Sequence, residues 1–451
     1  MMRSAPFVVT RPRTLQAVAR RVRDVDRLAI DVEANGMHAF RPRLCVVQLA
    51  WREGADIVAA IVDALSLDLE PLAPALGAGG PLKLLHDLTF DVRMLAERGL
   101  NLDRVRDTSV QARLLGERAT GLATLVASRL DIQLTKGLQH HNWAERPFEH
   151  RHIRYLAGDV IHLEALDQRL QAEVYEAAIA DEVELETRYK LATAKQPPGD
   201  GRPPYTRVKG FPALDPSAQA VLRRLFTVRD EIAERQDVPA HKVAPPSLLL
   251  ELARRQPTRA SEVTRWCRRH RGARLHVDRW RDAIRQGLED GTPPLLDLPP
   301  PRGQGLSPVE VTRRKVMEKA LSRWRREAAR ARGVVAQVIV PGHAMGPVVR
   351  ALLAGDDGLG VRLAAIPGLG SWRAERHIDA WRVIRDEALA TAVASPSESP
   401  PPPLPSSPAA GGGVVRPVPS PAPGTQPWLR DRRGDERDHP LASGDVIQRS
   451  S

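Results

Sequence analysis

Cysteine and aromatic side chains are scarce in this 451-residue chain. Its two cysteines, Cys45 and Cys267, lie far apart and form no disulfide framework, which points to a reducing cytoplasm. No apolar run approaches the ~18 residues that a membrane-spanning helix needs. The N-terminal stretch MMRSAPFVVTRPRT also lacks the apolar core of a signal peptide, so neither secretion nor membrane insertion is expected. Aromatics make up 4% of residues, too few to suggest serial base stacking along an extended single strand. Hydrophobic content of 42% still suffices for real cores, and the length predicts two or three domains.

Charge is unevenly placed. The net charge of +12 comes from residues 201–290, at +8, and 301–390, at +7, whereas residues 1–200 carry −2. Two basic blocks behind a near-neutral N-terminal half favour binding to a polyanion, nucleic acid above all. The first block holds Arg254, Arg255, Arg259, Arg265, Arg268, Arg269, Arg271 and Arg274, several spaced as one helix face requires. Such contacts to phosphates give affinity without sequence choice.

Apolar runs at 28–33, 44–50, 55–62 and 81–87 read as strands, the first two joined through a turn with Asn35-Gly36 and Arg41-Pro42. Helical spacing follows at LTFDVRMLAERG, where Phe90, Met94 and Leu95 share a face, and then at 107–117, 120–130 and 149–178. The pattern predicts a mixed α/β domain over 1–193, a Pro/Gly linker over 194–215 and a helical domain over 216–290. A second linker over 291–308 leads to a similar helical domain over 309–391. Both helical segments carry an Arg-rich helix, a Pro turn (Val238-Pro239, Val340-Pro341) and an aliphatic helix. Residues 392–451 are rich in Pro, Ser and Gly and are expected to be disordered.

The first strand ends by projecting Asp31 and Glu33, which share a face because strand side chains alternate. Two like charges so close either protonate or gather a cation, and hard divalent ions prefer carboxylates. Asp91 lies off the apolar face of the helix after the fourth strand, and Tyr155 and Asp159 sit four apart on one face of another. None of these is unusual alone. Together they supply the four carboxylates that hold two divalent ions roughly 3.5–4 Å apart, a pair suited to phosphodiester hydrolysis. Tyr155, with a hydroxyl pKa near 10, suits orienting the attacking water better than deprotonating it.

The ordered motifs D-x-E (Asp31, Glu33), H-x4-D (His86, Asp91) and Y-x3-D (Tyr155, Asp159) resemble those of the DEDD 3′→5′ exonucleases, in the tyrosine branch. More specifically the chain resembles ribonuclease D, through AIDVEANGMHAFRPRLCVVQLA, Asp107-Thr108, and Lys136, Gln139, Trp143, Arg146 and Pro147. The basic helical segments resemble HRDC domains. The resemblance spans residues 10–390 and implies a ribonuclease-H-like α/β exonuclease domain, a mixed sheet flanked by helices, followed by two small all-α HRDC-like domains. It implies that Asp31, Glu33 and Asp159 bind one metal (Mg²⁺ or Mn²⁺), with Asp31 bridging to a second near Asp91. Met37 and His38 would lie against the terminal nucleotide, core packing being the alternative for Met37, and Lys136 and Gln139 would also face substrate. His141, Asn142 and Phe148 depart from the family pattern on the substrate side. Pro367-Gly368-Leu369-Gly370 is either a phosphate cradle or a glycine helix cap.

The expected activity is metal-dependent 3′→5′ exoribonuclease trimming of structured RNA in the cytoplasm, with tRNA precursors as partners and no membrane or obligate protein partner. A 3′→5′ DNA exonuclease is the enzymatic alternative, and an inactive nucleic-acid-binding scaffold the other. The nuclease domain would cut and the helical domains would hold the RNA, so their removal would spare short substrates.

Overall fold

The computed structural model describes residues 5–135, 137–197, 201–294, 297 and 306–394. Six strands form one sheet in the order β1-β4-β3-β2-β5-β6: β1 (Phe7–Val9), β2 (Arg27–Ala34), β3 (Leu44–Glu53), β4 (Asp56–Asp63), β5 (Leu82–Leu85) and β6 (Val105–Asp107). The β2, β3 and β4 strands form an antiparallel meander, whereas β1, β5 and β6 add in parallel. The sheet is therefore mixed, as expected.

Helices cover both faces. They are α1 (Pro12–Arg23), α2 (Ala73–Leu76), α3 (Thr89–Ala96), α4 (Thr108–Leu114), α5 (Leu122–Leu130), α6 (His150–Ile161), α7 (Leu163–Glu176) and α8 (Ala180–Ala194). Residue alternation along β2 sorts its side chains between two cores. Leu28, Ile30 and Val32 join the cluster containing Leu15, Val18 and Val22 of α1 and Val92 and Leu95 of α3. Ala29 joins the opposite cluster with Tyr155, Leu156 and Val160 of α6. Asp31 and Glu33 continue that second face.

The basic region is helical: α9 (Pro216–Gln236), α10 (Ala240–Val243), α11 (Pro246–Arg255), α12 (Ala260–Cys267), α13 (Arg271–Arg274) and α14 (Val277–Asp290) share a core around Leu222, Leu249 and Trp280. A third core, around Leu321, Val348 and Trp381, unites α15 (Pro308–Arg332), α16 (Ala336–Ile339), α17 (Met345–Leu353), α18 (Leu359–Ala364) and α19 (Gly370–Ala394).

Several expectations need correction. The stretch 149–178 is two helices, broken at His162, where the backbone (φ −102°, ψ −9°) ends α6 and starts α7. Residues 204–213, expected to be linker, make 3₁₀ turns whose Tyr205 and Phe211 are buried in the first helical core. The arginines of the first basic block are spread over α11, α12, α13 and the turns between them rather than along one helix. The expected tail disorder, Lys136 and residues 298–305 of the second linker lie outside the described residues.

Candidate active site at the carboxylate corner

Asp31, Glu33 and Asp159 each offer a carboxylate oxygen, and these atoms lie within 4.8 Å of one another. Strand alternation aims the first two from β2, and packing of α6 across β2, β3 and β4 delivers the third. Asp91 comes from the opposite side of the sheet. It is buried in the first turn of α3, and its Oδ1 accepts the Val32 backbone N–H at 3.2 Å, between Asp31 and Glu33 in sequence. Tyr155 stands one helical turn before Asp159, its ring stacked on Trp143 with centroids 5.7 Å apart. Arg146 fixes the Trp143 segment, pairing with Asp63 at 2.6 Å and donating to the Cys45 and Trp143 carbonyls. Trp143 and Arg146 belong to the motif quoted from the sequence, but their work as the wall behind Tyr155 needs the folded chain to be seen.

Burial is the first cause of the site's electrostatics, and mutual repulsion the second. The Glu33 carboxyl is pushed up to about 9 by burial and by Asp31 and Asp159, with the Trp143 indole opposing. Burial and Asp31 raise Asp159, and burial and Asp31 raise Asp91 well above the ordinary range. Asp31 is raised by burial against the opposing hydrogen bond of the Val32 amide. Burial, then Asp159, Glu33 and Asp31, lift the Tyr155 phenol, so its proton stays on at neutral pH.

Carboxylates crowded this closely, without a Lys or Arg among the causes that set their pKa values, fit a divalent cation. A further sign, missed from sequence, is Gln48. It is wholly buried, pairs across the strands with Asp31, and neither atom of its amide has a protein partner among the described residues. Cross-strand partners share a face, so this unspent amide points to the side on which the carboxylates meet.

Sequence placed Met37, His38 and Gln139 on the substrate side. The structure brings the two segments together: His38 Nε2 lies 2.9 Å from the His140 carbonyl, and His140 Nδ1 lies 3.2 Å from Met37 Sδ. Met37 is half exposed, which removes core packing as its role, and Gln139 is exposed. His86 is not among the side chains gathered at the corner, and its Nδ1 lies 2.8 Å from Thr108 Oγ1. Of the departing residues, His141 stacks on His152 at 4.3 Å and Asn142 bonds Glu145, both beside the Trp143 wall.

Of the two readings of Pro367-Gly368-Leu369-Gly370, the phosphate cradle is disfavoured, because the turn is packed against α8. A Cβ on Gly368 would stand 2.8 Å from the Tyr189 ring, and one on Gly370 would stand 2.6 Å from Leu185, both on α8. The Gly368 carbonyl accepts from Arg373 at 2.7 Å. Close approach to α8, with φ of +75° and +72°, explains both glycines.

Residues 6–175 match the family model for 3′-5′ exonuclease domains, and residues 218–276 match that for the HRDC domain. Ribonuclease D of Desulfotalea psychrophila is 26% identical over 259 residues, 57% of this chain and 68% of that protein. The Haemophilus influenzae ribonuclease D is 28% identical over 263 residues, 57% of this chain and 64% of that protein. Residues 6–175 are thus those of a 3′-5′ exonuclease domain, and over that domain and the HRDC match the chain is similar to ribonuclease D. Its match spans only about two thirds of those relatives' own length. The crystal structure of Escherichia coli RNase D, described as an exoribonuclease involved in structured RNA processing, shares the fold: TM-score 0.64 at 20% identity, covering 86% of this chain and 99% of that one. The likeness to that structure is one of fold, and the acidic cluster of Asp31, Glu33 and Asp159 is consistent with the divalent-metal dependence of such exonucleases. Among the described residues, no helix is long and apolar enough to cross a membrane.

Proposed function

We propose that this ribonuclease D-type chain hydrolyses phosphodiester bonds from the 3′ end of structured RNA, with tRNA precursors as the substrate class, in the cytoplasm. The observation that supports it most is the convergence of Asp31, Glu33 and Asp159 within 4.8 Å, with Tyr155 one turn away. Asp31, Glu33 and Asp159 would hold one Mg²⁺ or Mn²⁺, and Asp31 with Asp91 a second. Such ions supply hydroxide near neutral pH and neutralise charge gathering on the phosphate and the leaving 3′ oxygen. Tyr155, kept protonated by its surroundings, orients the attacking water through its hydroxyl. Met37, His38, Lys136 and Gln139 would contact the terminal nucleotides.

The first helical domain supports the grip on RNA. Arg259, Arg265, Arg268, Arg269, Arg271 and Arg274 are exposed, and among the described residues none of their guanidinium groups forms a salt bridge, unlike those of Arg254 and Arg255 with Glu251. Unneutralised arginines on a surface suit phosphate contacts along a folded RNA backbone. The test is digestion of labelled, sequence-matched RNA and DNA with added Mg²⁺ or Mn²⁺. Stepwise loss of RNA 3′ nucleotides supports the reading; preference for DNA moves the chain to the proofreading type, and intact ends with both ions leave only a scaffold.

A further inference from the structure

The turn that carries Met37 and His38 is not held by the nuclease domain alone. Its first half is closed locally: the Asn35 carbonyl accepts the N–H groups of His38 at 2.8 Å and Ala39 at 3.0 Å, and the buried Asn35 side chain accepts from Arg43 at 2.8 Å. Its second half leaves the nuclease domain. The Phe40 side chain packs against the core of the first helical domain, and its backbone N–H donates to Asp237 Oδ1 at 3.1 Å. Asp237 is the cap residue that ends α9, held in the left-handed region at φ 46°, ψ 51°. Arg41 pairs with Glu234 one turn earlier at 2.7 Å, although both side chains are largely in solvent and that pair contributes little.

We infer that Phe40 and Asp237 are positioning residues through which the first helical domain sets the turn bearing Met37 and His38, and with it recognition of the 3′-terminal nucleotide. The inference rests on the exoribonuclease reading but departs from a strict division between a cutting domain and a holding domain. A six-residue segment, 36–41, touches the 140 loop at one end and α9 at the other. Free of α9, its second half would keep no hydrogen bond from Phe40 and no apolar surface for the ring. The turn would then sample more conformations, and the entropy of ordering it would fall on substrate binding.

The experiment uses the full chain and a dinucleotide, the shortest substrate that carries a phosphodiester bond. Asp237→Gly preserves the left-handed backbone and removes the acceptor, whereas Asp237→Asn preserves both. Phe40→Ala removes the apolar anchor, and Phe40→Leu retains part of it. With thermal melts confirming folding, Asp237→Gly and Phe40→Ala raise the dinucleotide KM about three- to tenfold, the scale of one lost interaction, and leave kcat near wild type. Asp237→Asn and Phe40→Leu restore most of the affinity. A dinucleotide KM unchanged in both disruptive variants, with weakened binding of long RNA only, overturns the inference while leaving the exoribonuclease reading intact. Failure of the unaltered chain to release any nucleotide from RNA sinks that reading itself. A fall in kcat alone would place the effect at the carboxylates and also count against the inference.

Discussion

The backbone N–H of Val32 donates to the carboxylate of Asp91, joining the central strand β2 to the first turn of α3 at the point between Asp31 and Glu33. Asp91 therefore has two tasks, one structural and one electrostatic, and two substitutions separate them. Asp91→Asn retains an oxygen acceptor for Val32 but removes the charge. It is expected to melt within a few degrees of wild type and to lose activity by on the order of 100-fold or more. Asp91→Leu also strands a buried N–H, which adds a destabilisation of about 1–3 kcal/mol. Denaturant titration beside steady-state hydrolysis measures both, and full activity in Asp91→Asn would remove it from the site.

The raised carboxylates give the metal-free protein an unusual pH response. Each releases its proton near pH 4 when unfolded but holds it in the fold, up to about 9 for Glu33. Between those limits the native state binds more protons than the unfolded one, so stability falls as pH rises. The melting temperature of chelator-treated protein should drop between about pH 5 and pH 9, and Glu33→Gln should flatten the curve. A bound cation displaces those protons, so stabilisation by Mn²⁺ should grow with pH over the same range. A Mn²⁺ effect independent of pH would contradict this account.

The carboxylate corner was legible in sequence because it depends on two short-range periodicities. Period two puts Asp31 and Glu33 together on β2, and a spacing of four puts Tyr155 and Asp159 together on α6. The strands β2 to β5 were readable for the same reason, being continuous apolar runs. What escaped depends on partners far away in the chain. The three-residue strands β1 and β6 exist because β4 and β5 offer them parallel edges. Helix α1 carries an apolar stripe (Leu15, Val18, Ala19, Val22) at helical spacing, a local signal that needs no distant partner. Gln48 looked like any strand glutamine until its cross-strand neighbour proved to be Asp31. The PGLG turn suggested a phosphate site because nothing local announces that α8 packs on it.

The arginines of α12 and of the turn that follows it should report on RNA binding without affecting chemistry. Replacing any one of Arg265, Arg268 or Arg269 by Ala is expected to weaken binding of a long RNA and lower the salt dependence of that binding by about one counterion. Dinucleotide hydrolysis should be unchanged if these side chains serve only the body of a longer RNA, as the proposed division of contacts requires. Affinity measured by filter binding across a salt series checks the slope, and an unaltered slope in all three variants would remove this face from the RNA path.

Arg373 of α19 and Glu182 of α8 form a wholly buried ion pair at 3.4 Å, and they tie the second helical region to the nuclease domain. Glu182 also accepts from Arg332 at 2.7 Å, and Arg373 reaches Glu186 at 3.2 Å and the Gly368 carbonyl at 2.7 Å. Tyr189 stacks on His343 alongside, with centroids 4.4 Å apart. Removing one buried charge leaves the others uncompensated, so Arg373→Ala should destabilise the chain by about 3–5 kcal/mol. Arg373→Lys should rescue little, because an ammonium cannot serve Glu182, Glu186 and the Gly368 carbonyl from one planar fork. Replacing Arg373 and Glu182 together by Met should be milder than Arg373→Ala only if Arg332 finds Glu186 instead. Urea unfolding of the three variants distinguishes these outcomes, and an Arg373→Ala protein as stable as wild type would mean that this junction is held by apolar contact alone.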